Sequence, residues 1–136
     1  MIREIVHDPI FLSQKSQEAT PADISIARDL MDTLQANMDR CVGMAANMIG
    51  QRKRIIAIAK GPIVVVMLNP RILSKAGEYE TEEGCLSLDG IRKTKRYKTI
   101  RLSWQDAQMK EHVGTLEGFQ AQIVQHEIDH CDGILI

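Results

Sequence analysis

The stretch from Glu117 to Cys131 constrains the fold more than any other part of this 136-residue chain. Its apolar residues keep a helical period without keeping to one stripe. Phe119, Ile123, His126 and His130 share one face, and Ala121, Val124, Ile128 and Cys131 occupy another. The spacing predicts a helix over 117–131 that is buried nearly all round and therefore central to the fold. Two histidines and a glutamate in the middle of such a helix are costly without partners. His126-Glu127-Ile128-Asp129-His130 is an H-E-x-x-H pattern, and its i, i+4 spacing puts both imidazoles on one face, one turn apart. Two nitrogen donors can then converge on one metal ion. Glu127, one residue on, can reach a metal-bound water instead of the metal and act as general base.

The rest of the chain supplies elements to pack around that helix. Thr20-Pro21-Ala22-Asp23 carries an N-cap, a proline at the first helical position and a capping-box-like acid. Ile24, Ala27, Met31, Leu34 and Met38 follow at helical spacing, so a helix over 21–39 is predicted. Arg54 to Ala59 and Ile63 to Leu68 are rich in β-branched residues and flank Gly61-Pro62, which predicts a hairpin. Tyr97 to Trp104 sets Tyr97, Thr99, Arg101 and Ser103 against Lys98, Ile100, Leu102 and Trp104, the alternation of a half-buried strand. Without regular βαβ alternation, these elements predict an α+β fold of mostly antiparallel strands around the central buried helix, plus an N-terminal helix. The length fits a single catalytic domain over 1–136, with a core large enough to need neither disulfides nor a structural metal.

Seventeen Lys+Arg against eighteen Asp+Glu give a formal charge of −1, and with no basic block the chain is not expected to bind nucleic acid. The longest apolar run, Ile63 to Leu68, is far short of the roughly 20 residues that cross a bilayer. Charges interrupt the first nine residues, so no secretory leader is expected and the cytoplasm is the default compartment. Cys41, Cys85 and Cys131 are odd in number and widely spaced, which argues against a disulfide framework.

A third metal ligand is expected upstream of the helix. Only six residues follow His130, and Cys131 points about 100° away from it around the helix. Cys85, within Glu82-Glu83-Gly84-Cys85-Leu86-Ser87, is the best candidate, since a thiolate binds transition metals tightly and Gly84 permits close backbone approach. His7 and His112 are alternatives without supporting context.

Glu83-Gly84-Cys85-Leu86-Ser87 and Gln125-His126-Glu127-Ile128-Asp129-His130 resemble the second and third signature motifs of peptide deformylases. Val42-Gly43-Met44-Ala45-Ala46-Asn47-Met48-Ile49-Gly50 precedes them and is similar to that family's first motif, Gly-x-Gly-Leu-Ala-Ala-x-Gln. Leu68-Asn69-Pro70, Arg96 and the Asp132-Gly133 turn extend the resemblance over nearly the whole chain. It implies a metal-dependent amidohydrolase that removes the formyl group from N-formyl-methionyl nascent peptides. One divalent ion would be held by Cys85, His126 and His130, with a fourth position open for water. Ferrous iron is the ion the family favours, while zinc, nickel or cobalt suit the same donors. By the same resemblance, Glu127 moves the proton, and the oxyanion is held by the metal, the Leu86 N–H and the Gln of the first motif. Val42, Gly43 and Gly84 pair with the extended substrate backbone, and Phe119 and Ile123 wall the methionine pocket. Transient association with the ribosome is a further implication, without the C-terminal helix that some relatives carry after the third motif.

The chain also departs from the family's pattern. Met48 stands where the oxyanion-binding Gln belongs, and the matching Ile49-Gly50 keeps the register. A thioether donates no hydrogen bond, and losing one preorganised donor costs roughly 100- to 1,000-fold in rate. Cys41 replaces the first glycine, and Gln122 faces the pocket where an apolar residue is expected; Gln51 reads as solvated. The leading expectation is a deformylase with reduced or shifted activity. Its alternative is a deformylase-like metal- and peptide-binding protein with little turnover, and an unrelated H-E-x-x-H peptidase stands third. Asp129 reads either as a partner of the metal site or as a surface residue.

Overall fold

The computed structural model describes residues 1–136. A five-stranded antiparallel sheet runs in chain order: β1 (Gly43–Ala45), β2 (Ile55–Lys60), β3 (Ile63–Cys85), β4 (Leu88–Gln105) and β5 (Glu111–Glu117). Three α-helices accompany it, α1 (Pro9–Leu12), α2 (Ile24–Ala36) and α3 (Gly118–Cys131). This is the expected α+β fold with one refinement. The motif-bearing helix α3 lies against one face of the sheet, and α2 covers the other. β2 shows why. Ile55 and Ala57 join a core with Leu30, Leu34, Met44 and Met48, whereas Ile56 and Ile58 join a second core with Ala121, Val124 and Ile128. A strand buried on both faces is apolar throughout, which is how Ile55 to Ala59 reads.

α2 falls inside the range predicted for it. Pro21–Asp23 form a 3-10 turn, with Asp23 Oδ2 accepting the Thr20 N–H at 2.8 Å, and the α-helix proper starts at Ile24. It ends at Ala36 and does not reach Asp39, because Asn37 turns its side-chain amide back onto the Thr33 carbonyl at 2.7 Å.

The hairpin around Gly61-Pro62 pairs β2 with β3 from Lys60↔Ile63 to Ile55↔Leu68. β3 then continues to Cys85, beyond the predicted strand. Its outer part is largely exposed and pairs with β4 as a polar ribbon, which sets Glu80 opposite Lys95, Glu82 opposite Lys93 and Glu83 opposite Arg92. Opposite charges face each other across the strands in place of apolar contacts, and Lys95 Nζ comes within 3.7 Å of Glu78 Oε1. At the root of the ribbon Asn69 takes φ 51° beside a register shift, and its amide both accepts the Ala19 N–H (2.7 Å) and donates to the Ala19 carbonyl (3.0 Å). β1 and β5, neither of them predicted, form the two edges of the sheet. After α3, Gly133 takes φ 75°, and a Cβ there would lie 2.5 Å from the Ser13 carbonyl oxygen, so the turn requires glycine. No helix is long and apolar enough to cross a membrane.

Candidate active site

From Ala121 to Cys131 every residue of α3 except Gln122 and Asp129 is buried, so packing fixes the two imidazoles. His126 Nε2 and His130 Nε2 lie 3.2 Å apart, and Cys85 Sγ is 3.4 Å from His130 Nε2. The three donor atoms all fall within 4.8 Å of one another. Cys85 ends β3, directly before the two-residue tip Leu86-Ser87 that turns the chain into β4. Of the three upstream candidates only Cys85 joins the histidines. His7 instead bonds through Nδ1 to the Ser87 carbonyl at 3.0 Å. His112 lies on β5, stacked on Trp104 and 2.8 Å from Asp106 Oδ2.

Glu83 ties this cluster to the sheet. Its Oε1 is 2.8 Å from His126 Nδ1 and accepts from Arg96 Nη2 at 2.7 Å. Its Oε2 accepts from Arg96 Nε at 3.0 Å and from Gln122 Nε2 at 2.9 Å. Burial opposes ionisation of Glu83, but the hydrogen bonds from His126, Arg96 and Gln122 outweigh it and hold the carboxyl at about 2. With a metal bound, His126 would give its Nδ1–H to the Glu83 carboxylate and its Nε2 lone pair to the ion, which makes it a more basic ligand. Arg96 also donates from Nη1 to Asp129 Oδ2 at 2.7 Å, so Asp129 is a partner of the cluster. Gln122, expected to be apolar, has its amide engaged at both ends, donating to Glu83 and accepting from the Tyr79 hydroxyl at 3.3 Å. The sequence alone assigns Arg96 no role. The register sets Arg96 opposite Tyr79, and its guanidinium reaches along the ribbon to Glu83; that ribbon is one the hydrophobic pattern does not reveal.

Glu127 Oε1 is buried without a protein partner, as is His130 Nδ1. Burial pushes the Glu127 carboxyl up to about 7, against the pull of His126. Burial also opposes charge on the imidazoles. At His126 the charge of Glu127, with Cys85 and Glu83, overrides it and raises the group to about 10, whereas burial and the neighbouring His126 hold His130 at about 3. Two nitrogens, one sulfur and an unpartnered carboxylate oxygen beside them fit a divalent transition metal with an open coordination position, the pattern of a catalytic site.

A groove of about 780 Å³ passes over these donors. Cys41, Val42 and Gly43 line it along with Gly84, Cys85 and Leu86, and α3 contributes Phe119, Ile123, His126 and Glu127. A Cβ on Gly43 would lie 2.8 Å from Glu127 Oε2, so the carboxylate has its place because that residue has no side chain. A Cβ on Gly84 would meet only the Gly90 carbonyl, at 3.8 Å, which leaves the groove beside it open. Phe119 is 63% exposed. Met48 does not line the groove; it is buried, and its sulfur accepts the Ala45 N–H at 3.4 Å. Gln51 is exposed, as its reading as a solvated residue requires.

An antiparallel sheet carrying an H-E-x-x-H helix on one face, with a strand-end cysteine beside its two imidazoles, is the architecture of a metallohydrolase. A family model for polypeptide deformylase matches residues 2–136. A peptide deformylase of Clostridium beijerinckii is 54% identical over 136 residues, covering all of both chains. One of Dictyoglomus thermophilum is 37% identical over 142 aligned residues, covering all of this chain and 91% of its own. The crystal structure of peptide deformylase from Thermotoga maritima superposes with a TM-score of 0.88 at 27% identity, over 99% of this chain and 95% of that one. The structure of a Legionella pneumophila peptide deformylase gives 0.88 at 34% identity, over 99% and 83%. The chain belongs to the polypeptide deformylase family, metal-dependent hydrolases that remove a formyl group. The reading as an unrelated H-E-x-x-H peptidase is thereby set aside.

Proposed function

We propose that this chain hydrolyses the terminal formamide of N-formyl-methionyl nascent peptides in the cytoplasm, at one divalent ion held by Cys85, His126 and His130. The observation that carries the reading is the convergence of these three donors beside the buried, unpartnered Glu127 in a groove open to an extended chain. When bound, the ion supplies Lewis-acid activation of water and of the formyl oxygen. Ferrous iron is the ion expected from the family, and zinc, nickel or cobalt satisfy the same donors. Glu127, buried beside the donors with Oε1 free of any protein partner, takes the proton of the attacking water and returns it to the departing amine. Leu86, at the tip outside the strand ladder, offers its N–H to the developing oxyanion. Val42 and Gly43, at the sheet edge, and Gly84 pair with the peptide backbone, while Phe119 and Ile123 wall the side-chain pocket.

Met48 supports a second reading, a metal- and peptide-binding protein with little turnover, because it contributes no oxyanion donor. Formate release from a formyl-methionyl tripeptide separates the two. The protein loaded with ferrous iron or zinc is expected to turn over measurably, Glu127→Ala to lose that activity with its metal retained, and Cys85→Ala to lose the metal. Absence of release with either ion would favour the binding protein, and full metal content in Cys85→Ala would overturn the ligand set.

A further inference from the structure

The N-terminal segment is joined to both stretches that the oxyanion position draws on. The Val6 N–H donates to the Met48 carbonyl at 2.7 Å, and His7 Nδ1 lies 3.0 Å from the Ser87 carbonyl oxygen. Ile5 packs against the α2-side core, which gives the segment a fixed seat. At the other end of the contact, Leu86 and Ser87 form a two-residue tip closed by the Cys85↔Leu88 pair, and the ladder does not hold their own peptide planes. With a thioether at position 48, the Leu86 N–H is the protein donor left to the oxyanion, so its aim matters more here than where a glutamine shares the task.

We propose that His7 is a positioning residue for the reaction: by donating to the Ser87 carbonyl it locks the Leu86-Ser87 tip and so aims the Leu86 N–H. The proposal rests on the deformylase reading above. His7 is itself exposed and outside the metal cluster, so its replacement leaves the donor set intact.

The test is steady-state formate release by metal-loaded His7→Ala and His7→Asn, with 15N relaxation of the Leu86 and Ser87 amides measured in the same proteins. The alanine variant is expected to lose roughly 10- to 100-fold in kcat with little change in KM, and its two tip amides to become more mobile. Asparagine places an amide N–H near the position of imidazole Nδ1 and is expected to restore both rate and order. Wild-type kcat and unchanged tip order in His7→Ala would overturn the proposal. So would a loss that follows metal content or folded fraction, or an asparagine variant as slow as the alanine one. If the unsubstituted protein released no formate, the deformylase reading would fail, and the amide comparison would still decide whether His7 orders the tip.

Discussion

The thioether of Met48 accepts the Ala45 N–H and packs among the α2-side core residues, so this side chain contributes packing where the glutamine of the motif it resembles would contribute a donor. A glutamine at this position keeps an acceptor for Ala45 and adds an amide N–H. Met48→Gln is therefore expected to raise kcat for formate release by ~100-fold or more; an unchanged rate would point to a different substrate. Arg96 shows the opposite dependence. It is 4% exposed and joins Glu83 to Asp129, so Arg96→Ala leaves buried carboxylate charge without its cation. Breaking a buried pair in this way costs about 3–5 kcal/mol, which a urea titration reads as a lower midpoint. An unmoved midpoint would mean that the carboxylates find another partner or take up protons without penalty.

At the level of elements, α2 is held at its start by Asp23, which accepts the Thr20 N–H and lies 3.4 Å from Lys53 Nζ. Burial alone would raise this carboxyl, but Thr20 and Lys53 outweigh it and lower it below the ordinary range. A carboxyl lowered in the fold contributes stability that is complete above the unfolded-state value, near 3.8, and is lost as the pH falls through the folded one. Asp23→Ala is expected to cost about 1 kcal/mol at neutral pH and to flatten the acid limb of a stability-against-pH curve. Parallel curves for the two proteins would remove Asp23 from that limb. The cap itself was legible in Thr20-Pro21-Ala22-Asp23, as was α3 in its period, because both are local signals. The outer ribbon was not, since Glu78 to Glu83 and Lys93 to Arg96 carry no apolar alternation and are paired by register and charge. The three side chains that converge as proposed donors stand in the motifs, whereas the Glu83–Arg96–Asp129 and Gln122–Tyr79 contacts depend on that unseen pairing.

Across the whole molecule, the sheet separates two apolar cores with no residue in common, one closed by α2 and the other by α3. Leu30 is fully buried in the first and Val124 in the second. Truncating either to alanine is expected to destabilise the protein by about 2–4 kcal/mol. The double variant is expected to show the sum within about 0.5 kcal/mol, as sites without shared partners do. A larger departure, measured by denaturant unfolding, would show that the sheet transmits strain between its faces. The two histidines proposed as metal ligands and Glu127 all belong to α3, while Cys85, Leu86 and Met48 pack on the α2 side. Drift in the sequence can therefore proceed unevenly: α2 itself, none of whose residues lines the groove, can exchange its side chains for others of similar volume over many generations, while α3 and the strand ends beside it keep theirs.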